Sequence, residues 1–195
     1  MSAELWPNTS ERAWRESLLR YEAVVKQQNV ARLPDLDDWY RNEFPELISA
    51  RKHPRITHAE LVRVTEWKMA RGVWRAPNLV LVRGNDADNV GTVSTNAFRS
   101  IPHAATPISI LATLSGVGPA TASAVVAAFA PNLYPFFDEL VAAQIPTLGK
   151  VAWTLAYYAR YATALRERAV QLGADWMPAM VERALWANVG GKAGV

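Results

Sequence analysis

The sequence predicts an all-α fold, a bundle of short helices. Apolar residues recur at three- and four-residue steps along almost the whole chain. Helix-start and helix-stop signals, together with frequent prolines, divide this pattern into short segments. Half of the 195 residues are hydrophobic and 20% are charged, as is typical of a folded globular protein.

The first 56 residues contain three predicted helices. The first covers ERAWRESLLRYEAVVKQQ, in which apolar residues such as Trp14 and Leu18 share one face. Two shorter helices follow, in LPDLDDWYRNEF and PELISARKH. We interpret residues 1–56 as an N-terminal helical extension and as a surface for a protein partner.

The most clearly marked helix begins at Thr57, which has the spacing of a capping box with Glu60, and ends at Gly72. The next stretch, NLVLVRGND, fits either a short strand or a buried turn of helix. A helix from residue 88 to 99 and two longer helices within 150–171 and 174–188 complete the pattern. We place the helical core at residues 57–190.

A helix-hairpin-helix is predicted at residues 107–130, where SGVG joins PISILATL to PATASAVVAAFA. Glycine reaches positive φ without steric cost, and it leaves backbone N–H groups uncovered. The start of the helix opened by proline 119 carries free donors and partial positive charge. A DNA phosphate is therefore expected to bind the backbone of Gly116, Val117, Gly118, Ala120 and Thr121. The alternative is a plain turn between two core helices.

With Asp138 downstream, LSGVGPATAS resembles the hairpin of the helix-hairpin-helix (HhH-GPD) DNA glycosylase superfamily. The specific part of the resemblance spans residues 111–143. It implies a two-lobed all-α fold, binding to double-stranded DNA, and DNA repair by base excision. It also implies that Asp138, 20 residues after Gly118 and at the start of the next helix, is the catalytic residue.

The chain departs from the pattern of that family at three places, one of which is the absence of the Arg or Lys often found beside the hairpin glycines. Members that also cleave the DNA backbone have a lysine two residues after the second glycine, where this chain has Ala120. The resemblance therefore implies a monofunctional hydrolase of the N-glycosidic bond, without lyase activity at an abasic (AP) site. The Thr-His that usually follows the aspartate is replaced by Glu139 and Leu140.

Asp138 has two interpretations that are compatible with each other. Its carboxylate can stabilise the cationic sugar that forms as a base leaves, and aspartate is also a preferred helix N-cap. A second hypothesis for the whole chain is a non-catalytic glycosylase-like scaffold that binds DNA or a protein partner. A third is a helical interaction module with no role on DNA.

Lys68 and Arg71 are further candidates for DNA binding. Both continue the helical stripe of Leu61 and Val64, so they are expected to line a cleft and contact phosphate. The alternative for Lys68 is that its stem covers apolar surface while the ammonium reaches water.

The tryptophans offer stacking surfaces as well as core packing. Trp67 and Trp74 can stack against an extruded base, but we expect them to pack in the core. We also interpret Trp153, Tyr157 and Tyr161 as core residues on one helix face.

Composition excludes several classes of site. The chain has no cysteine, so disulfides, thiolate zinc sites and iron–sulfur clusters are excluded. Its three histidines lack metal-ligand spacing, so we predict no side-chain metal site and no cofactor. A hairpin of this kind can hold a monovalent cation through backbone carbonyls.

No signal-peptide pattern or membrane-length apolar segment is seen, so we expect a protein without membrane association, located inside the cell in the nucleus or cytoplasm.

Overall fold

A computed structural model describes residues 4–194, and this part of the chain is helical without any β-strand. The all-α prediction is therefore confirmed. In chain order, the helices are α1 (Glu11–Leu19), α2 (Tyr21–Gln27), α3 (Leu33–Asp38), α4 (Phe44–Ser49), α5 (His58–Arg71), α6 (Ala76–Arg83), α7 (Ala87–Arg99), α8 (Thr106–Leu111), α9 (Pro119–Phe129), α10 (Glu139–Ala142), α11 (Leu155–Leu172) and α12 (Pro178–Asn188). A π-helical turn at Trp39–Glu43 joins α3 to α4, and 3₁₀ turns lie at Pro146–Leu148 and Gly191–Gly194.

Local signals in the sequence account for most helix ends. Thr57 caps α5 through a complete capping box with Glu60, and Gly72 ends that helix, as predicted. The ambiguous NLVLVRGND stretch forms most of α6. The predicted first helix is instead two helices, α1 and α2, with a break at Arg20.

The N-terminal segment packs onto the rest of the chain. Helix α1 lies along α12, where the Ser17 hydroxyl donates a 2.7 Å hydrogen bond to the carbonyl of Ala184. The Tyr40 hydroxyl reaches the hairpin helix α9 and donates to the Ala124 carbonyl, also at 2.7 Å. Residues 4–56 thus help to build one shared hydrophobic core. The boundary at residue 56 stays a prediction.

A buried polar network connects the N-terminal segment to α5. Asp37 accepts 2.8 Å hydrogen bonds from the Tyr21 hydroxyl and from the indole N–H of Trp67. The Arg41 guanidinium forms a 3.1 Å ion pair with the same carboxylate. Burial alone would raise the pKa of Asp37, but Arg41 and these hydrogen bonds outweigh burial and lower it. The network therefore holds an ionised carboxylate inside the fold.

Candidate functional site: a cleft between the hairpin and the aspartate loop

A cleft of about 270 Å³ lies where α5, the start of α9 and the loop before α10 meet. Its wall includes Lys68 and Arg71 from α5, Gly118 and Thr121 from the hairpin, and Asp138 from the loop. Six of the eight residues predicted from sequence as catalytic or DNA-binding therefore line one cavity. Ala120 is the sixth of them, whereas Gly116 and Val117 lie outside the wall.

Gly116 makes the hairpin turn and also the contact of the hairpin with α6. Its φ is +73°, and a Cβ atom there would lie 2.7 Å from the carbonyl oxygen of Asn78 and 2.9 Å from Leu81 Cβ. Asn85 fixes the same turn through two 2.9 Å hydrogen bonds with the backbone of Ser115. Val117 is buried beside it. Glycine is therefore required at 116 for packing.

Gly118 has a different role from Gly116. Its φ is −94°, an ordinary extended value, and a Cβ atom there would meet nothing within 4 Å. It is the cap residue of α9, and no side chain caps that helix. The first-turn N–H groups of Ala120 and Thr121 have no acceptor within the helix. The backbone donors at the start of α9 therefore border the cleft without a side-chain partner.

The loop that carries Asp138 is held by hydrogen bonds from α9 and α11. The Tyr161 hydroxyl donates to the Phe136 carbonyl at 2.7 Å, and the Phe137 N–H donates to Ser123 Oγ at 2.9 Å. The ring of Phe137 packs 4.9 Å from that of Trp153, measured between ring centroids. These contacts fix the two residues that precede Asp138.

Asp138 is buried, with 8% of its surface exposed, and it caps α10. One carboxylate oxygen, Oδ1, accepts the N–H of Leu140 at 2.8 Å. The other, Oδ2, lies 3.8 Å from Arg71 Nε, an ion-pair distance that is too long for a hydrogen bond. The predicted capping role is present, and Oδ2 has no hydrogen-bond donor from residues 4–194.

Arg71 is inside the protein rather than on the surface where phosphate would lie. It is 1% exposed, and its Nη2 pairs with Glu182 Oε1 of α12 at 2.5 Å. Its Nε and Nη1 atoms are buried without a hydrogen-bond partner. Burial raises the pKa of Glu182, and Arg71 opposes that shift. Arg71 therefore lies between the Asp138 and Glu182 carboxylates. Its contact with DNA stays a prediction.

Lys68 lines the cleft one helical turn before Arg71. Burial and the nearby Arg75 lower its pKa, while Glu139 and Asp138 oppose the change. Within the described part of the chain its ammonium forms neither a hydrogen bond nor an ion pair. Lys68 is therefore a partly buried cation without a fixed partner.

Several features of the cleft were not predicted from sequence. Arg75 and Lys192 add cations to its wall, and Trp153 adds an aromatic surface. Trp153 is 44% exposed and precedes α11, so its assignment to the core was wrong. Trp74 is 49% exposed and was also wrongly expected in the core, whereas Trp67 is fully buried as expected.

Residues 4–194 contain no candidate metal site and no candidate membrane-spanning helix. No group of three or more His, Asp or Glu side chains there has a metal-binding arrangement. No helix in that range has the length and apolar character needed to cross a bilayer. The monovalent cation at the hairpin stays a prediction.

Comparison with known proteins gave no relative. The chain matches no protein-family model, no curated protein and no solved structure.

Proposed function

We propose that this protein binds double-stranded DNA through its hairpin and excises a base by hydrolysis of the N-glycosidic bond, with Asp138 as the catalytic residue. One observation carries the proposal. The Asp138 carboxylate and the uncapped start of α9 border the same cleft. A phosphate held by the helix would bring the adjoining sugar close to that carboxylate.

The chemistry requires a carboxylate of this kind. Positive charge develops on the sugar as the base leaves, and a fixed anion stabilises it most strongly where water is scarce. Asp138 is largely buried, and its Oδ2 has no competing hydrogen bond. The same oxygen is available to orient an attacking water.

Phosphate binding is supported by charge as well as by the helix. Arg75 and Lys192 are exposed on the cleft wall, and neither side chain forms an ion pair within residues 4–194. The cleft therefore presents exposed cations beside fixed backbone donors. Such contacts position DNA without reading its sequence.

The aromatic wall is suited to an extruded base. Phe136, Phe137 and Trp153 line the cleft, and Trp153 is the most exposed of the three. Removing a base from the duplex stack costs a few kcal/mol, and aromatic stacking in the pocket offsets part of that cost. The cleft volume of about 270 Å³ is near the lower end of the roughly 300–1,000 Å³ usual for small-molecule sites. This size favours a single base.

Excision tests the proposal directly. Duplexes carrying alkylated, deaminated, oxidised or mismatched bases are incubated with the protein, and alkali then reveals abasic sites. We expect base loss from at least one duplex, and we expect Asp138→Asn to abolish it, since asparagine keeps the N-cap but not the charge. Asp86→Asn is the matched control because Asp86 is also a helix N-cap, with its side chain accepting the N–H of Asn89 in α7. Base loss from none of the duplexes, with DNA still bound, would favour the non-catalytic scaffold.

A further inference from the structure

A second pocket lies between the π-helical turn, α9 and α12, and we call it the α12 pocket. Its volume is about 150 Å³, and its wall includes Tyr40, Arg41, Trp67, Phe136 and Arg183. Among residues 4–194, Phe136 alone lines both this pocket and the cleft. The α12 pocket is therefore a separate site, which the proposed excision reaction does not use.

Arg183 carries a charge that has no counterion in this pocket. Its Nε donates a long 3.4 Å hydrogen bond to the Ala179 carbonyl, and no carboxylate of residues 4–194 forms an ion pair with it. Its guanidinium lies 6.0 Å from the centroid of the Tyr21 ring, at the limit of the cation–π range. Burial is the main cause that lowers the pKa of Arg183 to about 10, and the charge of Arg41 is the second. The group stays protonated at neutral pH, so its charge is left to be balanced by a ligand.

Arg41 is the other guanidinium of the wall, and its donors are already engaged. It forms a 3.1 Å ion pair with Asp37 and donates a hydrogen bond to the Tyr21 hydroxyl. Its charge adds to the positive potential at Arg183, as the lowered pKa of Arg183 indicates. Arg183 is therefore the group of the α12 pocket that is free to pair with an anion.

We propose that the α12 pocket binds a small organic monocarboxylate, whose apolar body is about the size of a single ring and whose carboxylate pairs with the Arg183 guanidinium. A guanidinium presents parallel N–H donors that match the two oxygens of a carboxylate. The site has its own wall and its own cation, so it does not depend on the proposed function.

The charges around Arg183 favour a ligand with a single negative charge. Glu182 lines the same wall, and Asp37 lies nearby in its pair with Arg41. Both carboxylates oppose the lowering of the Arg183 pKa, although each of them pairs with another arginine. A dianion such as phosphate would face the Glu182 carboxylate in a partly buried site, where like charges repel more strongly than in water. A monoanion balances Arg183 with less repulsion.

The rest of the wall fits an apolar body. Tyr40 and Trp67 stack with their ring centroids 3.6 Å apart, and Phe136 adds a third ring. Met177 and Met180 also line the pocket, and thioether side chains adapt readily to the shape of a ligand. An apolar cavity of about 150 Å³ is large enough to bind benzene. Benzoate, a single ring with one carboxylate, is therefore the probe of choice.

Isothermal titration calorimetry with benzoate tests the inference on the full chain. We expect saturable binding of benzoate, and binding about tenfold weaker or more for benzamide, which has the same shape without the charge. Arg183→Met removes the guanidinium but keeps an apolar stem, so the affinity for benzoate should fall by the same factor. Arg183→Lys keeps the charge without the planar fork and should lose less affinity than Arg183→Met. Arg75→Met is the control, because it removes an exposed cation of the cleft and should leave the Kd for benzoate unchanged.

Thermal unfolding gives a second readout and shows that the variants fold. Benzoate should raise the Tm of the wild type and of Arg75→Met, and the same concentration should leave the Tm of Arg183→Met unchanged. The inference would be overturned by no saturable binding of benzoate, by equal affinity for benzamide or inorganic phosphate, or by an equal loss in Arg75→Met. These assays contain no DNA, so their failure leaves the proposed excision untouched, and failure of excision leaves this site untouched.

Discussion

The two glycines of the hairpin should respond in opposite ways to a side chain. Replacing Gly116 with alanine forces a residue at φ +73° and places Cβ 2.7 Å from the Asn78 carbonyl oxygen. The left-handed backbone costs about 1–2 kcal/mol, and the overlap costs about 1–3 kcal/mol more. We therefore expect Gly116→Ala to lower the free energy of unfolding by about 2–5 kcal/mol.

Gly118 should tolerate a side chain without loss of stability. Its backbone is extended and the space around a Cβ is open. In Gly118→Ser the hydroxyl would cap α9, which adds a few tenths of a kcal/mol. That hydroxyl accepts the N–H of Ala120 or Thr121, which are the donors assigned to phosphate. A lost hydrogen bond to a charged group is worth about 1.5–3 kcal/mol, so DNA affinity should fall about tenfold or more.

Two assays separate these effects. Thermal unfolding followed by circular dichroism should show a Tm lowered by roughly 4–20 °C in Gly116→Ala, at about 2–4 °C per kcal/mol for a chain of this size. Fluorescence anisotropy with a labelled duplex measures the Kd of Gly118→Ser. Wild-type stability in Gly116→Ala would refute the packing argument. Unchanged DNA affinity in Gly118→Ser would refute phosphate binding at α9.

Three other predictions concern buried charge and salt. Glu182→Gln leaves Arg71 buried with only its 3.8 Å partner Asp138, so urea unfolding should show a loss of about 3–5 kcal/mol. The pKa of Asp37 is lowered in the folded state, so the stability it contributes is fully present above about pH 4 and is lost as the pH falls through its lower folded value. Urea titrations from pH 6 to pH 2 should show that loss in the wild type. In Asp37→Asn the contribution of Asp37 should be absent, and stability at pH 6 should be lower because Arg41 has lost its carboxylate partner. For DNA binding, the plot of log K against log salt should have a shallow slope of about −0.9 per neutralised phosphate, and a Kd independent of salt would contradict a backbone contact.

Helix positions could be predicted well because their signals are local. Capping boxes, prolines and apolar spacing act within a few residues, and the ends of α5 and α9 follow them closely. The break at Arg20 was missed because the apolar spacing continues across it. The packing of α1 and α2 against the rest of the fold separates the two helices at Arg20, although the apolar spacing continues.

The sequence predicted most of the residues that meet in the cleft, whereas their roles in binding and catalysis stay predictions. Lys68 and Arg71 share a helix face with Leu61 and Val64, and both line the cleft as that spacing predicted. The same face also packs into the core, and Arg71 is buried there. The partner that buries Arg71 is Glu182, 111 residues away in sequence, and no local pattern links the two. Likewise Trp153 precedes α11 instead of lying on its apolar face, because Thr154 caps that helix.

The central claim is that Asp138 acts on the chemical step and not on DNA binding. Its most direct test is the single-turnover excision rate of Asp138→Asn, measured beside the Kd for the same duplex, with Asp86→Asn as control. We predict a rate lower by about 10²–10⁴-fold at a nearly unchanged Kd. A rate equal to that of the wild type, or a Kd weakened as much as the rate, would contradict the assignment.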